Sequence, residues 1–159
     1  VSLTLSWCAL VGAGCLSEQQ GIDTVFDPCA PLVLAPVEGE LDEIASIDDA
    51  MSLWRDAAGV AVTRDEVEGA PRVPVHFDPA GRSFHGFYDD AIGAVYINEA
   101  IDDDDARSVT IAHELGHAFG LTHVPPAERV SLMNPGNLTV RPTAGDVRAL
   151  VLLWGACGG

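Results

Sequence analysis

His113-Glu114-Leu115-Gly116-His117-Ala118-Phe119-Gly120-Leu121-Thr122-His123 is the stretch around which the chain is read. His113 and His117 stand four residues apart, so on a helix they share a face and both imidazoles reach one point. Glu114 lies beside His113 and reaches a water held at that point. Gly120 takes a positive φ at little cost, so the chain can turn there and bring His123 back to the same place. Three neutral imidazoles suit Zn²⁺ and leave its fourth tetrahedral position open to water, as in a catalytic site. The spacing therefore assigns His113, His117 and His123 as zinc ligands. Glu114 is the group placed to take a proton from that water. A helix with incidental surface histidines is the bland alternative. Three of the five histidines falling in these few residues weigh against it.

These residues match the pattern HExxHxxGxxH at every fixed position and so resemble the metzincin zinc peptidases. Ten residues on, Ser131-Leu132-Met133-Asn134-Pro135 resembles the Met-turn that lies beneath the zinc in that clan. Within the clan the chain is most similar to a small bacterial matrixin, a matrix-metalloprotease-like catalytic domain, over about residues 30–157. The resemblance implies a zincin-like fold: a twisted mixed sheet, an active-site helix, the Met-turn and a C-terminal helix. It implies a zinc endopeptidase in which Met133 is an apolar floor that binds nothing. An extended peptide would lie along the strand Gly93–Asn98, lined by Gly93, Ala94, Val95 and Tyr96, since an edge strand offers unpaired backbone groups. The specificity pocket would lie between the zinc helix and the loop Pro135–Pro142. Leu138 and Val140 would form its apolar wall, taking Leu, Ile, Met or Phe after the scissile bond. The direction of Arg141 in that loop is left open.

The chain departs from the matrixin pattern in two places. Val124-Pro125-Pro126 stands where a Ser usually follows the third His, which leaves the subfamily open. Vertebrate matrixins hold a second, structural zinc; here only His85 falls in a comparable place, with His76 and Asp78 nearby. One zinc is expected, and these histidines are read as solvent-exposed loop residues. His85 and Tyr96 lie too far from the motif in sequence for any role to be assigned.

Outward from the motif, Asp102–Asp105 caps a helix running to about Phe119, and its consecutive acids do not have the alternation of a calcium loop. Ala94–Ile97 alternates as a strand. Val73–Phe77 does so too, although Pro74 suits only an edge or a bulge. Gly81–Asp90 reads as a loop. Pro31–Val37 is a possible first strand. Ile47–Ala58 carries apolar residues on one helical face, with Asp48 and Asp49 in its first turn. Residues 124–142 are a proline-rich loop, and Thr143 caps a last helix, Ala144–Trp154, with Val147, Leu150, Val151 and Trp154 on one face. The order of elements reads as α+β.

The chain of 159 residues is 48% apolar, which suits one globular domain. Its 24 acidic residues against 8 basic ones, all arginine, give a net charge of -16. A surface so negative argues against nucleic acid and against anionic lipid. Cys29 precedes the expected core and Cys157 nearly ends the chain; that placement suits a disulfide in an oxidising compartment. Pairing of Cys29 with Cys157 is favoured over Cys29 capping the zinc as a thiolate. Residues 1–16 resemble the later part of a secretory signal and are too short to span a membrane. Gly12-Ala13-Gly14-Cys15 resembles a bacterial lipoprotein cleavage box, with Gly12 where a larger aliphatic residue is usual. Two readings follow, a lipid anchor at Cys15 or a plain signal remnant. The expected organisation is 1–28 signal remnant or linker and 29–159 catalytic domain. The expected protein is secreted or held at the cell envelope, and acts as a monomer on an extended protein or peptide. The runner-up is a secreted zinc-binding interaction module without proteolysis, which would not need Glu114.

Overall fold

The computed structural model describes residues 22–158; the leader-like run, Cys8 and the Cys15 box lie outside them. In chain order the elements are β1 (Leu32–Pro36), α1 (Leu41–Ala58), β2 (Val62–Thr63), β3 (Arg72–Asp78), β4 (Gly86–Asp89), β5 (Ala94–Asn98), α2 (Asp104–Ala118) and α3 (Ala144–Trp154). The strands form one sheet in the order β2-β1-β3-β5-β4. β1 pairs parallel with β2 and β3, β3 parallel with β5, and β4 antiparallel with β5. The mixed sheet read from the sequence is present; its pairs are mostly parallel, and with three helices the fold is a mixed α/β one.

Two strand assignments are corrected. Pro74 was expected only at an edge or a bulge, yet β3 is central. Backbone pleating explains how it is tolerated. Val33 N–H donates to Pro71 and Val37 N–H to Val75, so the odd residues of β3 face β1 and the even ones face β5. Pairing with β5 begins at Val75↔Val95, so the missing N–H of Pro74 falls just before that ladder starts. The second correction concerns Gly93–Asn98, which was expected to be the exposed edge. β5 is bonded on both sides, by β3 and β4, and Ala94 and Val95 are buried. The edge is β4, in the segment expected to be a loop. Gly86-Phe87-Tyr88-Asp89 is short, begins with Gly and lacks a run of β-branched residues, so its strand character comes from pairing with β5.

α1 starts six residues before the expected Ile47. The apolar face begins at Ile47, but the start signal lies upstream, where the Glu43 carboxylate accepts the Glu40 N–H at 2.7 Å. The acids of its first turn are Asp42 and Glu43, not Asp48 and Asp49. α2 starts where expected, with Asp103 accepting from Ala106 N–H at 2.7 Å. α3 matches its expected bounds, and Thr143 and Asp146 cap it reciprocally. Its expected apolar face is only partly used: Leu150 is buried, whereas Val151 is exposed.

The core lies between the sheet and α1 and α2, with Val73, Val75, Val95 and Ile97 inside. Trp54 of α1 is fully buried, meets Phe119 edge-on and donates its indole N–H to Ala112 C=O at 2.8 Å. Arg107 of α2 is buried and bonded to Ile101 C=O, Asp42, Ser46 and Asp104. α2 is thus locked against α1 along its length, which gives its histidine face a rigid base. The expected bridge Cys29–Cys157 is formed across 128 residues and ties the start of the folded part to its end. Such a bridge belongs to an oxidising, non-cytoplasmic compartment. No helix among the described residues is long and apolar enough to cross a membrane.

Candidate metal centre

His113 and His117 project from α2 as their spacing requires. After Ala118 the helix stops: Gly120 takes φ +90°, and Leu121 N–H donates back to Gly116 C=O at 2.9 Å. The reversal carries His123 to the same point. His123 Nε2 lies 3.1 Å from His113 Nε2 and 3.2 Å from His117 Nε2. Nitrogens bound tetrahedrally at 2.0–2.1 Å from zinc would be about 3.3 Å apart. His113 Nδ1 donates to Leu132 C=O at 2.7 Å and His117 Nδ1 to Leu121 C=O at 2.8 Å. Each bond fixes the tautomer in which Nε2 carries a free lone pair. Among the described residues these three form the one group of three or more His, Cys, Asp or Glu placed to hold a metal ion.

Burial pushes the pKa of His117 down to about 4, with the neighbouring His113 adding to it. His113 and His123 are lowered as well, chiefly by burial. All three are therefore neutral near pH 7, the state that ligates. Burial pushes Glu114 up to about 8, against the pull of the Tyr88 backbone amide. Its carboxyl is crowded by β4: a Cβ on Gly86 would lie 2.9 Å from Glu114 Oε1 and 2.8 Å from Thr110 Cγ2. Only Gly lets the edge strand come so close to this carboxyl. Nothing in the sequence pattern singled out Gly86.

The turn Ser131–Asn134 sits under α2. Met133 is buried, and a Cβ on Gly116 would run into its sulfur. Val124 N–H donates to Met133 C=O at 2.9 Å and Asn134 Nδ2 to Val124 C=O at 2.8 Å, so the turn is stitched to the residue after His123. Asp146 is fully buried and accepts from the Ser131 hydroxyl, from Leu132 N–H at 3.0 Å and from Thr143 N–H at 2.8 Å. Burial alone would raise its pKa, but these donors hold it below the usual carboxylate range. The chain of contacts runs Asp146, Leu132, His113. In sequence Asp146 is an acidic residue in the first turn of α3 and belongs to no motif.

Two cavities flank the histidines. One, of about 180 Å³, lies between Glu114, His85, Thr110 and Pro135–Asn137. The other, of about 290 Å³, lies between His117, His123, Tyr88, Asp90 and Ile22. The expected pocket wall is corrected. Leu138 lines a separate depression with Arg82 and Ala106, and Arg141 turns away to pair with Asp105 at 3.3 Å. Val140 is held by its backbone, because the Asn137 side chain bonds both its N–H (2.8 Å) and its C=O (2.7 Å). Asn137 folds the loop onto itself, so Pro135, Gly136 and Asn137 face the cavity instead. Tyr96 is stacked on His76 on β3, with ring centroids 4.6 Å apart; neither is a loop residue, and neither lines these cavities. His85, read as an exposed loop residue, is half-buried at the wall beside Glu114.

No family model and no curated protein matches the chain. Among solved structures it is similar to a crystal structure of myroilysin, with a TM-score of 0.60 at 12% identity over 82% of this chain and 86% of that one. A second structure of myroilysin gives a TM-score of 0.58 at 14% identity over 84% of this chain and 97% of the other. At such identities the likeness is one of fold.

Proposed function

We propose that the protein is a secreted zinc-dependent endopeptidase of the metzincin type, with a matrixin-like catalytic domain. One observation carries the reading: three Nε2 atoms converge at metal-ligand spacing, each on a neutral imidazole, with a buried carboxyl beside them. The donor set fits zinc, since three imidazoles leave one position for water. His113, His117 and His123 would hold the zinc, which when bound would supply Lewis acidity for polarising a carbonyl and acidifying a water. Glu114 is the proton carrier. A cation among the histidines favours its carboxylate form, which takes a proton from water and returns it to the departing amine. Met133 and the turn around it act as a floor that holds the ligands in place. The substrate strand pairs with the outer edge of β4, Gly86–Asp89, because among the described residues that strand has a partner strand on one side only. The likeness to myroilysin supports the fold that this reading requires, and the Cys29–Cys157 bridge supports secretion.

The test uses protein purified without added zinc, assayed for bound metal and for cleavage of a diverse peptide library with and without a chelator. One zinc per chain and chelator-sensitive cleavage are expected. Glu114→Ala is expected to keep the metal and lose about 10²–10⁴-fold in rate, whereas His117→Ala loses the metal too. Cleavage by metal-free protein, or full activity in Glu114→Ala, sinks the reading.

A further inference from the structure

We propose that His85 makes this cleft select an amide side chain, Asn or Gln, directly after the scissile bond. The inference rests on the peptidase reading above and gives that site its substrate class.

Beside Glu114 the cavity has two polar side chains left to offer, Ser83, which is exposed to solvent, and the half-buried His85. The Thr110 hydroxyl is spent on Ala106 C=O at 2.8 Å. The Asn137 amide group donates to Leu132 C=O and Val140 C=O, and its oxygen accepts from Thr139 and Val140. His113 Nδ1 is taken by Leu132. Glu114 belongs to the proton transfer. Among the described residues the half-buried His85 ring has no hydrogen-bond partner, and it lines the cavity wall.

His85 is also held in place. Its carbonyl accepts the Asn98 N–H at 2.9 Å. The buried Asn98 side chain donates to Phe84 C=O at 2.8 Å and accepts from Ala80 N–H at 3.2 Å. The loop leading into β4 is thereby clamped to the end of β5, which fixes the backbone that carries the ring.

A neutral imidazole presents one donor and one acceptor, and the amide of Asn or Gln presents both in return. An aliphatic side chain would cover the ring and leave it unpaired, which costs binding. A carboxylate would add to the chain's net charge of -16, and Asp102 and Asp103 already line the neighbouring depression that His85 also borders. The expected preference for Leu, Ile, Met or Phe rested on Leu138 and Val140, which do not reach this cavity.

The test compares zinc-loaded wild type, His85→Leu and His85→Gln on peptides that differ only at the residue after the scissile bond. Wild type is expected to cleave the Gln peptide with a kcat/KM about tenfold above the Leu peptide, the worth of one net hydrogen bond. His85→Leu is expected to reverse the ratio and His85→Gln to restore much of it, each ratio taken within one variant so that a change in rate common to all peptides cancels. A wild-type preference for Leu, or a ratio unmoved by His85→Leu, overturns the proposal and leaves the peptidase reading intact. Failure of zinc-loaded wild type to cut any peptide overturns both.

Discussion

On the α2 side of the cleft His113 and His117 are each held by the carbonyl of a buried leucine, whereas on the β4 side the walls come from short segments of little local character. His113 is oriented by Leu132, Leu132 by Asp146, and Asp146 by Ser131 and Thr143. Opposite them, β4 is four residues long, and the 80–85 loop depends on Asn98 for its shape. The difference separates two tasks. Ligands and proton carrier need fixed positions, which rigid packing supplies. Cleft walls set preference, and their residues can differ at small cost to stability.

Three measurements would break or sharpen this contrast. The largest effect is expected for Asp146→Ala, which strands the Ser131 hydroxyl and the Leu132 and Thr143 amides in the interior. A loss of about 3 kcal/mol is expected near neutral pH, read from urea unfolding. The sign with pH follows from the depressed pKa of Asp146 in the folded state. Its contribution is present above the unfolded value and is lost as pH falls through the folded one. The gap between wild type and variant should therefore narrow in acid; a gap constant from pH 7 to strongly acidic conditions would refute the role given to the carboxylate.

Next in size is Gly116→Ala. Its Cβ meets the Met133 sulfur, so about 1–3 kcal/mol of stability should be lost, together with metal affinity as the turn moves off α2. Adding Met133→Ala should recover part of the loss, and a double-mutant cycle measures the coupling. Strict additivity would mean that helix and turn are not in register as described. The smallest effect is expected on the other side. Leu138→Ala should leave stability within about 0.5 kcal/mol and peptide preference within about twofold, because Leu138 faces a separate depression. A changed preference after the scissile bond would return Leu138 to the pocket wall.

The histidines were legible because their geometry is local. An i, i+4 pair on one helix, a Gly turn and a third His define a point in space with no long-range contact needed. The capped starts of α2 and α3 were legible for the same reason, since Asp103 and Thr143 act within their own first turns. The disulfide was legible from placement alone, with one Cys at each end of the folded part.

The walls of the cleft were decided by tertiary structure. Ala94–Ile97 alternates as a half-buried strand would, and alternation does not say how many neighbours a strand has. That was settled when Gly86–Asp89 paired beyond it, at a Gly whose missing Cβ makes room for Glu114. Pro74 likewise reads as an edge signal until the register shows that its absent N–H points just short of the β5 ladder. Leu138 and Val140 have the character of a pocket wall, but the Asn137 side chain curls their loop and turns them elsewhere. His85 was weighed only as a ligand of a second zinc and read as an exposed loop residue, because it reaches the cleft through a clamp made by Asn98, thirteen residues away in sequence. Sequence determined what depends on neighbours along the chain; pairing, register and loop closure join residues distant along it, and only the fold brings those together.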